Sequence, residues 1–194
     1  METTKQGEPI IAFDSLESWE AWLSKSHATS NGLWVKIAKK DSGVDTVIYA
    51  EALETALCYG WIDGQKGPFD GSYWLQRFTP RKPRSKWSKI NCVKAEELIS
   101  SGHMKPAGMK EVERAKADGR WEAAYDGQRK AGVPEDLLAA LTENEGAQEF
   151  FDTLDSTNRY AILYRIQDAK KPETRARRIE KFVAMLSEGK KIHP

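Results

Sequence analysis

Trp61-Ile62-Asp63-Gly64-Gln65, a turn-rich run closing on Gly67-Pro68-Phe69-Asp70-Gly71, and then Ser72-Tyr73-Trp74-Leu75-Gln76-Arg77-Phe78-Thr79 are the residues on which the fold turns. The flanks are aromatic and β-branched segments around a Gly/Pro/Asp cluster, the composition of a β-hairpin. Pro80 and Pro83 stop the second strand and hold the chain extended beyond it. Just upstream, Leu33-Trp34-Val35-Lys36-Ile37-Ala38 is a further apolar-rich strand, launched by Asn31-Gly32 and succeeded by a turn at Lys39–Gly43. Earlier still, Pro9–Phe13 suggests a short first strand.

Around these strands the period changes to that of helices. Asp14, with Glu17 three residues on, predicts a capping box for a helix bearing Leu16, Trp19 and Leu23 on one stripe. Tyr49 to Tyr59 buries Ala52, Leu53, Ala56 and Leu57, and Gly60 is placed to end that helix. Ser85 is expected to cap a third helix whose Trp87, Ile90 and Leu98 share a face and which Gly102 ends; another spans about Ala107 to Ala117. Beyond Trp121 the pattern is helical throughout. Asp126–Gly132 looks like a linker, and Pro134 opens a tail with apolar faces at Leu137/Leu138/Leu141, Phe150/Phe151/Leu154 and Tyr160/Leu163/Tyr164. Pro172 suits the first turn of a last helix carrying Ile179, Phe182, Val183 and Leu186. The expectation is an α+β protein: a small antiparallel sheet with packed helices over residues 1–130, then an all-helical module over 131–194. Sixty-odd residues alone make a marginal core, so that module is expected to pack on the body.

The 194 residues carry 40% apolar and 30% charged side chains with a net charge of +1, a water-soluble globular balance. Cys58 and Cys92 are the two cysteines and suit buried thiols in a reducing compartment. The first nine residues are polar, without an apolar signal region, and no apolar run approaches the roughly 20 residues that cross a bilayer. A cytoplasmic location without a membrane span is the expectation.

The net charge hides a segregation. From Gly71 to Ala95 there is no acidic residue, yet Arg77, Arg81, Lys82, Arg84, Lys86, Lys89 and Lys94 fall there. Taking those seven from +1 leaves about −6 on the remainder. Guanidinium forks grip phosphate or carboxylate, aromatic faces stack on bases or cations, and prolines lower the entropy lost on binding. The predicted ligand-binding set is Trp61, Asp63, Gln65, Tyr73, Gln76, Arg77, Arg81, Lys82, Arg84, Ser85, Lys86 and Trp87. Arg77, Arg81, Lys82, Arg84 and Lys86 would surround an anionic small molecule or nucleic acid over a floor of Trp61, Asp63 and Gln76. The competing reading pairs the arginines internally, Asp63 with Arg77 for instance, and sends the aromatics to the core.

Other chemistry is poorly supported. His27, His103 and His193 lack metal-type spacing, and no phosphate-binding loop, dinucleotide fingerprint or nucleophile elbow occurs. No metal, cofactor or nucleophile–base pair is expected. Asp63 and Asp70, flanking the hairpin turn, leave open an enzyme acting on a phosphorylated or carboxylated molecule. A third possibility is a scaffold whose C-terminal helices dock a partner.

Ala56-Leu57-Cys58-Tyr59-Gly60-Trp61-Ile62-Asp63-Gly64-Gln65, with Gln76–Asn91 after it and its Pro80-Arg81-Lys82-Pro83-Arg84-Ser85-Lys86-Trp87 core, resembles the YdeI/OmpD-associated (bacteriocin-protection) family. Ala169-Lys170-Lys171-Pro172-Glu173-Thr174-Arg175-Ala176-Arg177-Arg178-Ile179 is similar to that family's tail motif. The resemblance covers nearly the whole chain. It implies an α+β body with a helical C-terminal segment, a role in antimicrobial or stress resistance, and an envelope-related protein partner. It supplies no catalytic residue.

Overall fold

A computed structural model describes residues 4–127 and 131–194, and the fold is α+β. Residues 128–130 of the expected linker lie outside the described residues. The chain divides into two compact units, one running to Trp87 and resuming over Asn91–Ala123, the other formed by Ser88–Ile90 with Ala124–Pro194.

The first unit is built on a five-stranded sheet. Its strands are β1 (Thr4–Lys5), β2 (Glu8–Ala12), β3 (Leu33–Ala38), β4 (Trp61–Pro68) and β5 (Tyr73–Pro80), in the order β1-β2-β3-β5-β4. The sheet is mixed rather than purely antiparallel, because β2 and β3 run parallel. A parallel pair needs a long crossover, and helix α1 (Leu16–Ser26) supplies it. Here α1 buries Trp19 and Leu23 as their spacing predicted. Its cap is one residue later than expected. Ser15 Oγ accepts the Ser18 N–H while Ser18 Oγ accepts the Ser15 N–H, both at 3.2 Å. Hydroxyls at both ends complete the box, and Asp14 and Glu17 stand outside it.

The hairpin forms, with its turn shifted. β4 runs through Pro68, and Gly67 pairs with Leu75. A side chain at Gly67 would meet the Lys5 amine at 2.6 Å, the far end of a flexible side chain that can swing aside. A bulge between Asp63 and Lys66 shifts the register. The remaining helices of this unit are α2 (Tyr49–Cys58), α3 (Lys89–Ser100, from Asn91 onward) and α4 (Pro106–Ala117). Gly60, at φ +74°, donates its N–H to Leu57 O at 3.1 Å and ends α2 as read from sequence.

Ser85 does not cap α3. Its hydroxyl instead accepts the Lys82 N–H at 2.9 Å, closing a turn, and the helix begins at Lys89. Trp87 therefore precedes the helix and is buried, whereas Ile90 is exposed. Tertiary packing of Trp87 against Trp121, ring centroids 4.8 Å apart, overrides the local capping signal.

The second unit is helical: α5 (Glu135–Thr142), α6 (Glu145–Thr153), α7 (Ser156–Gln167) and α8 (Pro172–Ser187). Leu137, Leu141, Phe151, Ile162, Ile166, Ile179, Phe182 and Leu186 form its core. Leu138 points out, being about 100° round the helix from Leu137, so only the i, i+4 pair of that predicted face is buried. Asn144 and Asp155 cap α6 and α7 through the N–H groups of Ala147 and Asn158. Among the described residues no helix is long and apolar enough to cross a membrane.

Candidate functional site: the basic turn

Side chains alternate across β5, and this separates the predicted site residues. Trp74, Gln76 and Phe78 share the face covered by helices: Phe78 packs on Trp19, and Trp74 on Tyr49. Asp63, opposite Phe78, accepts the Tyr49 hydroxyl at 2.7 Å on the same side. Trp61 is buried there and donates its indole N–H to His27 O at 3.1 Å. Gln76, only 3% exposed, donates from Nε2 to the carbonyls of Gly64 (3.0 Å) and Gln65 (3.2 Å), stapling the bulge. These groups hold the sheet to its helices.

Tyr73 and Arg77 lie on the other face. Arg77 grips Glu8 with both arms of its guanidinium, Nε to Oε2 at 2.7 Å, a fork that raises the Arg77 pKa. Asp63 and Arg77 therefore sit on opposite faces and do not pair. Lys36 adds a cation over the Phe69 ring at 4.3 Å and Lys5 another over Trp34 at 4.4 Å.

The remaining predicted residues form one structured turn. Arg81 is 5% exposed; its guanidinium lies 3.5 Å from the centre of the Trp87 ring and donates to Lys86 O at 3.2 Å. Its own N–H goes to Gly60 O at 3.0 Å. The Ser85 N–H returns to Lys82 O at 2.9 Å, reciprocating the hydroxyl bond described above. From the other side Arg120 donates to Ser85 O at 2.7 Å while its Nε bonds both oxygens of Asp118, holding that carboxyl below its ordinary range. Two inward guanidiniums thus brace the carbonyls of a turn whose outward side chains, Lys82, Arg84 and Lys86, are exposed. Arg120 was not legible from sequence: it is 35 residues from Ser85, with only Asp118 nearby to suggest an ordinary local pair. Glu8, the partner of Arg77, is 69 residues away.

Asp70, a candidate acid or base, accepts the N–H groups of Ser72 and Tyr73 at 2.8 Å each, the ordinary work of a turn carboxylate. A cavity of about 430 Å³ in the same unit is lined by residues including Cys58, Lys94, His103 and Lys105. Lys105 pairs with Glu20 at 3.2 Å and Lys94 with Glu54. Burial pushes the Cys58 thiol up to about 11, so the thiolate a nucleophile needs is scarce. A wider groove of about 770 Å³ runs between α5 and α8. Neither hollow is lined by the twelve predicted residues. Among the described residues no group of three or more His, Cys, Asp or Glu side chains is placed to hold a metal ion.

The family described as a domain of unknown function (DUF8412) matches residues 11–111. Residues 130–189 match the family described as Bacteriocin-protection, YdeI or OmpD-Associated, in agreement with the resemblance read on the tail motif, whereas the central run Ala56–Asn91, also read as part of that resemblance, falls within the residues 11–111 match instead. No curated protein and no solved structure matches the chain.

Proposed function

We propose, for a chain that belongs to the family described as a domain of unknown function (DUF8412) and continues into a YdeI/OmpD-associated segment, a non-catalytic, cytoplasmic binding role in which the Lys82–Lys86 turn docks a phosphate-bearing polyanion. One observation carries this reading: buried Arg81 and partly buried Arg120 organise the turn from within while Lys82 and Arg84 face water. Guanidiniums withdrawn from water are costly unless they are stacked or hydrogen-bonded, as these are. Their arrangement fixes the turn before any partner arrives, which lowers the ordering cost of binding.

The partner chemistry is read from what the turn lacks. Trp87 and Trp61 are core residues, and Tyr73 lies at the far end of β5 from the turn with Lys36 over its ring, so no aromatic platform among the predicted set stands beside the turn's cations for base stacking. Exposed cations on a turn suit an extended phosphate backbone, read without sequence preference, better than a small molecule that needs enclosure. The bacteriocin-protection description of the C-terminal match supports placing this binding in an antimicrobial- or stress-resistance setting.

Fluorescence anisotropy with labelled single-stranded and duplex oligonucleotides at about 20–200 mM salt is the test. Saturable binding at low salt is expected, with log K falling against log salt by about 2 for two phosphate contacts at Lys82 and Arg84. Lys82→Ala with Arg84→Ala should weaken every sequence alike and remove about 2 from that slope. No binding to either oligonucleotide at low salt sinks the reading.

A further inference from the structure

The groove between α5 and α8 is independent of the basic turn and of opposite charge. Aliphatic side chains line it: Ala140 from α5, with Ile179, Val183 and Ala184 from α8. On α8 the lining positions from Pro172 to Ser187 recur at the helical repeat, so the hollow runs along the axis for about 22 Å rather than closing round one point. Glu143 and Glu180 stand on its lining, and neither has an ion-pair partner among the described residues. The third carboxylate there, Asp136, is already satisfied: Arg175 donates to both its oxygens and holds it below the usual carboxylate range. The surplus charge on the groove is therefore negative, beside an aliphatic lining.

We infer that this groove receives a cationic amphipathic helix from another protein. Small residues let a helix backbone approach closely, as Ala140 and Ala184 do here, while Val183 and Ile179 offer the i, i+4 contacts that a helix-in-groove partner reads. The carboxylates of Glu143 and Glu180, without an ion-pair partner among the described residues, select Lys or Arg beside the partner's apolar stripe and reject an acidic one. The length of the groove corresponds to about four turns of such a helix.

The probe is a labelled peptide of about 15 residues with Leu on one helical stripe and Lys elsewhere, titrated against the full chain by anisotropy at about 100 mM salt. A second peptide with the same Leu stripe and Glu elsewhere accompanies it. Saturable binding of the Lys peptide alone is expected, weakened at least tenfold by Glu143→Gln with Glu180→Gln, and likewise by Ala184→Phe, which adds bulk to the lining. The double Gln variant changes charge without changing shape, so it decides the matter even if Ala184→Phe perturbs the bundle. Equal binding of the Glu peptide, absence of saturation, or indifference to both variants overturns the inference. Sedimentation showing a dimer that Ala184→Phe dissolves would also overturn it, by assigning the groove to a second copy. Loss of oligonucleotide binding by the Lys82/Arg84 variant leaves this result untouched, so the two sites fail separately.

Discussion

Arg81 and Arg84 sit three positions apart in one basic run, and their surroundings give them opposite roles. Arg81 is enclosed, flat on Trp87 and bonded to Lys86 O, whereas Arg84 projects into water. Removing Arg81 deletes a desolvated cation–π contact and a charge-assisted hydrogen bond and leaves Lys86 O without that donor. Arg81→Ala is expected to cost about 3 kcal/mol of unfolding free energy. Arg84→Ala should stay within about 0.5 kcal/mol. Urea denaturation monitored by tryptophan fluorescence checks both, and equal costs would refute the assignment of inward and outward arginines. The sequence showed that cations and rings concentrate here. It did not reveal which side of the backbone each takes, because that is settled by groups far along the chain: Glu8 for Arg77, Gly60 O for Arg81, and Arg120 for the turn.

Elements were read more securely than single side chains, since a helix or strand averages over many positions. Strand β3 and the burial stripe of α1 match their periodicity, and positive φ at Gly60 and Gly102 agrees with their reading as helix stops. Where the reading slipped, at Ser85 and at Asp14, a capping residue had a competitor close by or a different bond to make. The parallel β2/β3 pair was illegible, because parallel and antiparallel partners present the same local pattern. Packing of α4 on α2 rests on Gly108. A methyl group there would lie 2.4 Å from Cys58 O and 2.5 Å from Leu57 O, against backbone that cannot swing aside. Gly108→Ala, which helix propensity alone would favour, should therefore destabilise by about 1–3 kcal/mol. A rise in the thermal midpoint of that variant would show that the two helices part readily and that the close approach is not required.

At the scale of the molecule, both thiols report on integrity. Cys58 and Cys92 are free, buried, and pushed by burial up to about 11 from an ordinary 9.0. Folding thus retains their protons more firmly than the unfolded chain does. Their contribution to stability is constant below about pH 9 and declines as pH climbs towards 11. With a disulfide exchange reagent near neutral pH the native protein should react only as fast as it opens, and both thiols should titrate at once in guanidinium chloride. Rapid native labelling of either would contradict its burial.

The order of the strands carries one more consequence. The sheet ends on one side in the two-residue β1 and on the other in β4, whose pairing is interrupted between Asp63 and Lys66 and whose last residue is Pro68. A short border and a kinked, proline-tipped, lysine-bearing border are poor templates for the edge of another sheet. Edge-on strand addition of the kind that seeds fibrils is therefore expected to be disfavoured in concentrated solutions of this chain, and a shortened β4 without the kink is expected to aggregate faster.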